Sequence, residues 1–294
     1  MRTLHFIIFS CLLLGGLTSC MNQNVDPSNE KFAQNDADIK KYVETKGLSG
    51  TTTSSGLYYA LTSANPTAEK ATIGEEVEFT YKSYNLNDVF IDSTVTGKPV
   101  YYPLGINTIL AGLEEGLSLM REGEKATLLI PSYLAYGSNA PNANLPAYSV
   151  VRFDVQLVKS RDENQQIQQY IAAKKITVTD SSSTGLRISK TVSNTAGAQV
   201  TSGQTVTIKY IGRTLRASMP FDSTGSGTFD AVLGQSRYVK GFEEGLLKMR
   251  VGESATIIFP STSGYGKEGR LSGNQYIIPP YAPLRFDLQV ISAK

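Results

Sequence analysis

Residues 113–132 read LEEGLSLMREGEKATLLIPS, and residues 242–261 read FEEGLLKMRVGESATIIFPS. Twelve of the twenty aligned positions are identical, and the two stretches lie 129 positions apart. In both, an acidic pair and spaced apolar residues favour a short helix that ends near Gly123 or Gly252, since glycine commonly follows the last helical turn. The apolar run that follows is typical of a buried strand. The same helix–strand unit therefore occurs twice.

The repeat extends well beyond this stretch. Tyr81 matches Tyr210 at the offset of 129, and Phe153 matches Phe286 at an offset of 133. The second copy therefore carries four extra residues in one late loop, around residues 267–276. A chain of 294 residues is long enough for two modest domains. Self-similarity at a fixed offset predicts that each domain is one copy of a repeated unit.

Strand patterns dominate each copy. EVEFTYKSY (76–84) and QTVTIKYIG (204–212) alternate apolar and polar side chains, as half-buried strands do. VVRFDVQLV (150–158) and LRFDLQVIS (284–292) predict further strands. A mostly antiparallel sheet with one short helix requires that helix to cover the apolar face of the sheet. We therefore predict the α+β class, with two such domains in the chain.

A short amphipathic helix is expected in front of each copy. Apolar residues recur at i, i+3 and i+4 around residues 39–43 and again around 167–171. With these leading helices included, the first domain is predicted over residues 36–159 and the second over 160–294.

The first 35 residues are predicted to lie outside the two domains. Residues 6–17 form an apolar run that is too short to span a membrane. The sequence ending in Cys20 resembles the lipobox of bacterial lipoproteins, which implies a signal peptide over 1–19 and a lipid on Cys20. Polar residues favour a flexible tether over 20–35. The alternative is an ordinary secretory signal with an incidental cysteine.

These features predict a membrane-anchored lipoprotein that faces the periplasm or the cell surface. Several acyl chains on one cysteine anchor a protein stably, whereas one chain does not. Met21 after the lipid-bearing position is not the Asp that retains lipoproteins in the inner membrane of enteric bacteria. We therefore favour the outer membrane.

Several kinds of chemistry are excluded by the residue types. The single histidine, His5, and both cysteines, Cys11 and Cys20, lie in the predicted signal or at the lipid position. The mature chain then has no His or Cys for a nucleophilic triad or a zinc site. It also lacks a glycine loop of the kind that holds phosphates. We predict no metal and no cofactor.

The acidic pairs Glu114-Glu115 and Glu243-Glu244 remain as carboxylates. Adjacent positions point to different sides of a helix rather than across one substrate, so they are poor candidates for acid–base work.

The charge of the chain gives no indication of nucleic-acid binding. The net charge is only +2. Residues 21–169 carry 12 Lys and Arg against 18 Asp and Glu, whereas residues 170–294 carry 15 against 8. We interpret this asymmetry as two domains with different surfaces.

An ordered set of motifs is similar to the FKBP-type peptidyl-prolyl isomerases. In the second copy it runs VTIKYIG (206–212), FDST (221–224), VLG (232–234), YVKGFEEGLLKMRVGE (238–253), GYG (264–266), IIPP (277–280) and LRFDLQV (284–290). The first copy has VEFTYKS (77–83), IDST (91–94), PLG (103–105), ILAGLEEGLSLMREGE (109–124), AYG (135–137), NLPA (144–147) and VRFDVQL (151–157). Each motif alone is weak, but seven in order cover roughly 90 residues per copy. The resemblance implies a curved antiparallel sheet wrapped over one short helix in each domain.

The resemblance also implies an active pocket between that helix and the sheet. Catalytic positions in the second copy would be Tyr210, Phe221, Asp222, Phe242, Tyr265 and Phe286. Substrate-binding positions would be Phe229, Tyr238, Val239, Ile277 and Ile278. The matching first-copy positions would form a degenerate pocket: Tyr81, Ile91, Asp92, Val100, Ile109, Leu110, Leu113, Tyr136, Leu145 and Phe153.

Both copies depart from the pattern of this family. The pocket floor is usually Trp, which this chain lacks, so Phe242 or Leu113 stands there. Ile91, Val100 and Leu113 replace rings that the second copy keeps. Taken singly, such Phe residues are more typical of a core than of a ligand site, and Asp-Ser-Thr is an ordinary turn.

We therefore expect a prolyl isomerase that acts on proline-containing polypeptides outside the cytoplasm, with catalysis mainly in the second domain. One alternative is a non-catalytic chaperone or scaffold that binds proline-containing segments. A structural component of an outer-membrane assembly is another.

Overall fold

The computed structural model describes residues 27–294, and these residues form two domains with the same strand order. The predicted signal peptide, Cys20 and the first part of the tether lie outside the described residues. The sheet of the first domain is ordered β1-β2-β6-β7-β3-β4, and β5 pairs with β3. All neighbouring strands are antiparallel. Its elements are α1 (Pro27–Lys46), β1 (Thr51–Thr52), β2 (Tyr58–Ser63), β3 (Glu76–Tyr84), β4 (Phe90–Ser93), β5 (Val100–Pro103), α2 (Ala111–Leu119), β6 (Lys125–Ile130), a 3-10 turn (Ser132–Leu134) and β7 (Val151–Arg161).

The second domain repeats this plan and adds a hairpin. Its sheet is ordered β8-β9-β13-β16-β10-β11, with β12 beside β10, and the hairpin β14–β15 stands apart from it. The hairpin occupies the loop in which the second copy is four residues longer. The elements are α3 (Glu163–Lys174), β8 (Asp180–Ser181), β9 (Arg187–Val192), β10 (Thr205–Thr214), β11 (Asp222–Ser223), β12 (Phe229–Val232), α4 (Lys240–Leu247), β13 (Ser254–Phe259), a 3-10 turn (Ser261–Ser263), β14 (Arg270–Ser272), β15 (Gln275–Ile278) and β16 (Leu284–Ala293).

The glycine directly before each repeated stretch lets the helix lie against the sheet. A Cβ atom on Gly112 of α2 would stand 2.3 Å from Ile130 Cγ2, and one on Gly241 of α4 would stand 2.3 Å from Phe259 Cγ. Such distances are far inside van der Waals contact, so only glycine permits this approach. Each short helix thereby covers the apolar face of its own sheet, as the strand pattern predicted.

Both leading helices dock at two equivalent points. On α1, Asn35 accepts a hydrogen bond from the Ser132 backbone at 2.7 Å, and Tyr42 contacts Arg152. On α3, Glu163 accepts from the Ser261 hydroxyl at 2.6 Å, and Tyr170 accepts from Arg285 at 2.6 Å. The repeat aligns these contacts: Asn35–Ser132 corresponds to Glu163–Ser261, and Tyr42–Arg152 corresponds to Tyr170–Arg285.

The first leading helix is longer than the sequence pattern indicated. It begins at Pro27, so residues 27–35 are helical rather than part of a tether. The hydrophobic pattern does not indicate a helix over residues 27–35 because most of the side chains there are polar. Asn35 is nevertheless buried, at 2% exposure, and Phe32 packs edge-on against Tyr133 at 5.0 Å. Two specific contacts therefore hold this segment where hydrophobic periodicity gives no signal.

A buried ion pair is one of the contacts between the two domains. Arg216, in the connection between β10 and β11, donates through Nε to Glu76 at 2.5 Å and through Nη2 to the other carboxylate oxygen. Its guanidinium carbon also lies 3.5 Å from the ring centroid of Tyr101. Glu76 is only 8% exposed, so the charge is buried with its partner. The aligned positions of the other copy hold different residues: Asn87, Thr205 and Asp230.

Two further findings concern the described residues only. Between residues 27 and 294, every helix is too short or too polar to cross a membrane. In the same part of the chain, no three potential metal-ligating side chains cluster.

Candidate active site

A cavity of about 600 Å³ opens in the second domain between the start of α4 and the concave face of the sheet. Strands β10 and β16 contribute walls from the middle of the sheet, and the loops around β11 and β12 close one side. The helix supplies the floor. Its lining residues are Tyr210, Phe221, Asp222, Phe229, Arg237, Tyr238, Val239, Lys240, Phe242, Thr262, Gly264, Tyr265 and Phe286.

Aromatic rings pack edge to face around this cavity. The Phe242 ring lies 5.0 Å from Phe286 and 5.8 Å from Tyr210, measured between centroids. Phe221 meets Phe286 at 5.6 Å, and Phe229 meets Tyr210 at 5.9 Å. Edge-to-face pairs of this kind add stability beyond their buried area. The rings therefore form a rigid apolar wall, not a set of independent side chains.

The floor and the mouth of the cavity differ in exposure. Phe242 and Phe286 are each only 5% exposed and belong to the core of the domain. Phe229 is 38% exposed at the opening. A flat apolar ring entering here would exchange water for aromatic contacts on several sides.

One polar pair lies on the cavity wall. The Tyr210 hydroxyl donates to Asp222 Oδ2 at 2.9 Å. Burial, and next the hydrogen bond to Asp222, raise the pKa of Tyr210 to about 12. The hydroxyl therefore stays protonated at neutral pH and remains committed to the carboxylate. Asp222, as the acceptor of this hydrogen bond, fixes the orientation of the Tyr210 ring.

A second tyrosine hydroxyl in the cavity has no hydrogen-bond partner among the described residues. Tyr265 lines the cavity and is half-buried, and its hydroxyl forms no hydrogen bond to any residue in the range 27–294. The turn that carries it is fixed through the backbone, because Gly264 and Gly266 both donate to Ser261 O, at 2.7 and 2.8 Å. The Tyr265 hydroxyl is thus an O–H donor from which a bound carbonyl could accept.

Nine of the eleven predicted second-copy positions line this cavity, and two do not. Ile278 is fully buried in the core, and Ile277, next to it on β15, is 36% exposed. Neither belongs to the lining. Neighbouring residues on a strand point to opposite faces, which here are the core and the solvent.

Four lining residues were missed by the sequence reasoning. Arg237 and Lys240 resemble ordinary surface charges, and Thr262 and Gly264 lie in a turn. A signal was present for the two cations, because they directly flank the predicted pair Tyr238-Val239.

The first domain keeps the polar pair of this site but has fewer rings. Tyr81 donates to Asp92 Oδ2 at 2.7 Å, and burial followed by this bond raises the pKa of Tyr81. Its ring lies 5.2 Å from Phe153. Leu113 occupies the floor at 5% exposure, where it belongs to the core.

The remaining predicted first-copy positions pack close to this core. Leu145 is buried at 1% exposure. The half-buried ones are Ile91, Val100, Ile109, Leu110 and Tyr136. Aliphatic side chains therefore stand where the second domain has the rings of Phe221, Phe229, Tyr238 and Phe242.

The acidic pairs on α2 and α4 fix neighbouring loops by accepting hydrogen bonds from them. Glu114 accepts from the Gly105 backbone at 2.6 Å, and Glu115 accepts from the Ser55 hydroxyl at 2.6 Å. In the second domain Glu243 accepts from Gly234 and Glu244 accepts from Thr184. Their repetition in both copies thus has a structural explanation, consistent with the expectation that they are not an acid–base pair.

A curved antiparallel sheet wrapped over one short helix, with a ring-lined cavity between them, defines the FKBP class of domain. A family model described as "FKBP-type peptidyl-prolyl cis-trans isomerase" matches residues 67–158 and 197–291, which is more than half of the chain. The chain belongs to this family. The predicted α+β fold with two FKBP-type domains is confirmed.

Several known proteins are similar to this chain. Peptidyl-prolyl cis-trans isomerase FKBP9 of Homo sapiens is 32% identical over 222 residues, which are 74% of this chain and 35% of that protein. FkpA of Buchnera aphidicola is 36% identical over 130 residues, 44% of this chain and 50% of that protein. The solved structure of the three FKBP domains of wheat FKBP73 has 18% identity and a TM-score of 0.39, covering 82% of this chain and 96% of that one. The chain spans about a third of the length of the FKBP9 relatives.

Proposed function

We propose that this protein catalyses cis–trans isomerisation of X-Pro peptide bonds, and that the second domain carries most of the activity. The observation behind this proposal is the cavity of about 600 Å³ with its continuous ring wall and one uncommitted tyrosine hydroxyl. Membership of the isomerase family supports the reaction. The assignment to the second domain is supported by its ring-lined cavity, since aliphatic side chains stand at the matching positions of the first domain.

The reaction itself needs no nucleophile, base or metal. Rotation about an X-Pro bond must overcome a barrier of roughly 20 kcal/mol from amide resonance, and it takes tens to hundreds of seconds unaided. Raising the rate from ~10⁻² to ~10³ s⁻¹ means lowering that barrier by about 7 kcal/mol. No covalent bond is made or broken, so the task is to stabilise a twisted amide.

The cavity offers two contributions to this task. A planar amide is more dipolar than a twisted one, so an apolar wall around Phe242 and Phe286 favours the twisted state. A hydrogen bond from Tyr265 to the substrate carbonyl adds to this if it strengthens on twisting, and one such donor is worth about 3 kcal/mol in other enzymes. Asp222 holds Tyr210 in place, and the rings around it form the slot for proline.

The direct test is isomerisation of an Ala-Leu-Pro-Phe peptide by the full chain, with and without a macrolide that fills pockets of this family. We expect catalysis that one equivalent of macrolide abolishes. The same assay on a Phe242→Ala variant should lose most activity. No catalysis by the wild-type chain would overturn the proposal, and full activity in Phe242→Ala would overturn its assignment to the second domain.

A second role, non-catalytic binding of proline-containing or unfolded segments, is favoured for the first domain. Its support is that the Tyr81–Asp92 pair persists while rings are replaced at Ile91, Val100 and Leu113. Suppression of aggregation of an unfolded client by the Phe242→Ala chain would support this role. Loss of both activities in that variant would assign them to one site.

We propose further that the chain is a lipoprotein attached through Cys20 and works on proline-containing polypeptides outside the cytoplasm, at the outer membrane. The support is the signal-like stretch and lipobox-like sequence described above. Mass spectrometry of the N-terminal peptide from cells should find acyl chains on Cys20, and Cys20→Ala should move the protein out of the detergent phase. Recovery of an unmodified Cys20 would overturn this proposal.

A further inference from the structure

Three positive charges surround the cavity of the second domain. Arg237 and Lys240 line it, on either side of Tyr238 and Val239. Arg270, on the added hairpin, lies 6.0 Å from the ring centroid of Tyr265. All three side chains are exposed, and none has an ion-pair partner within the described range 27–294. We call these three residues the basic rim.

Several other cations of the same domain form ion pairs with carboxylates, whereas Lys209 and Lys267, like the rim, form none within the described residues. The ammonium of Lys190 lies 2.8 Å from Glu253, and that of Lys248 lies 2.8 Å from Asp180. The carboxylate in the cavity lining is Asp222, which already accepts from Tyr210. The rim charges are therefore free to meet a ligand, whereas these other cations already hold local structure together.

The first domain has no counterpart of this rim at the aligned positions. Thr108 aligns with Arg237 and Ala111 aligns with Lys240. Arg270 belongs to the loop in which the second copy is longer. The rim therefore occurs in the domain that has the aromatic cavity, and the aligned positions of the other domain lack it. We therefore connect the rim with what the second cavity binds.

We propose that the second cavity prefers client segments with a carboxylate side chain within two residues of the proline. This inference rests on the proposed function, since it assumes that proline occupies the ring-lined slot. An extended chain advances about 3.3–3.6 Å per residue, so such a carboxylate comes within reach of the long Arg237 and Lys240 side chains. The attraction is between exposed charges and is therefore modest and sensitive to salt.

The experiment compares matched peptides on the full chain. Ala-Glu-Pro-Phe and Ala-Gln-Pro-Phe differ by one charge at equal size, and Ala-Lys-Pro-Phe reverses it. We expect kcat/KM and affinity for the Glu peptide to exceed those for the Gln peptide by about three- to tenfold at low salt. The ratio should fall towards one in about 0.5 M NaCl, where the screening length shrinks to a few ångströms.

Variants identify the charges responsible. The double change Arg237→Glu and Lys240→Glu should reverse the preference, so that the Lys peptide is favoured over the Glu peptide. The matched control is Lys40→Glu with Lys41→Glu, which makes the same charge change on exposed positions of α1. It should leave the Glu-to-Gln ratio as in the wild-type chain.

The outcomes separate this inference from the proposed function. Equal kcat/KM for the Glu and Gln peptides, or a preference that survives the rim reversal, would overturn the inference while leaving isomerase activity in place. Absence of catalysis with a retained three- to tenfold difference in peptide affinity would overturn the function but support the rim as a selector of acidic segments.

Discussion

The cavity of the second domain and the matching site of the first are built on the same backbone plan and differ mainly in their rings. Both place a Tyr–Asp pair on the wall, at 2.7 Å in the first domain and 2.9 Å in the second. The second surrounds this pair with Phe221, Phe229 and Phe242, where the first has aliphatic side chains. The comparison teaches that the polar pair belongs to the fold, because it persists where the ring wall does not.

The largest expected difference concerns the floor position. Phe242→Ala removes the ring that contacts both Tyr210 and Phe286, so kcat/KM for a prolyl peptide should fall about a hundredfold, or about 2.7 kcal/mol. Leu113→Ala in the first domain should leave kcat/KM nearly unchanged.

Both floor variants lose core contacts, and each should be destabilised by roughly 2–5 kcal/mol. Thermal unfolding of each variant is therefore the control that activity is measured on folded protein. Equal losses of activity from the two changes would contradict the assignment of most activity to the second domain.

Replacing the glycine of α2 or α4 that faces the sheet should lower stability by a similar amount in both domains. Gly112→Ala and Gly241→Ala each place a Cβ atom 2.3 Å from a neighbouring side chain. Overpacking should cost about 2 kcal/mol in either domain, partly offset by the better helix propensity of alanine. Denaturant titration of the two variants measures this, and a variant as stable as the wild-type chain would show that its helix does not lie so close to the sheet.

A smaller effect is expected at the uncommitted hydroxyl. Tyr265→Phe removes only the O–H donor. Because Tyr265 is half-buried, this donor should contribute less than the about 3 kcal/mol of a fully enclosed one, so kcat should fall about tenfold while KM changes little. Tyr136→Phe is the matched change in the first domain and should not alter kcat. A fall in affinity without a fall in kcat would show that Tyr265 binds the ground state.

The smallest effect is expected for the Tyr210–Asp222 pair, as a loss of stability at high pH. The pKa of Tyr210 is raised to about 12 in the folded protein, above the usual value of 10. The stability from its neutral hydroxyl is therefore fully present below pH 10 and is lost as the pH rises through about 12. Comparing the absorbance titration of the wild-type chain with that of Tyr210→Phe should show that this phenol ionises near pH 12. Ionisation near pH 10 would mean that burial and the hydrogen bond to Asp222 do not raise the pKa of this phenol in solution.

The sequence allowed prediction of the fold because the pattern was present twice. The repeated block, the strand alternation and the ordered motifs agree, and the structure has the sheets and short helices that they indicate. The lining rings were also predictable, since they align with motif positions.

Other features left no such signal. The start of α1 depends on Asn35 and Phe32 contacts that no periodicity reports. Ile277 and Ile278 were assigned to the cavity because motif alignment does not tell which face of a strand a side chain takes. Arg216 and Glu76 lie far apart in sequence and in different copies, so their pairing required the folded chain.

The Arg216 contact connects the first domain to a loop that lines the cavity of the second. Its side chain is held by Glu76 and Tyr101, while the same loop runs on to Phe221, a wall of the cavity, five positions later. A segment of this length spans at most about 18 Å even when fully extended. The loop that contacts the first domain is therefore the same loop that supplies a wall of the cavity in the second.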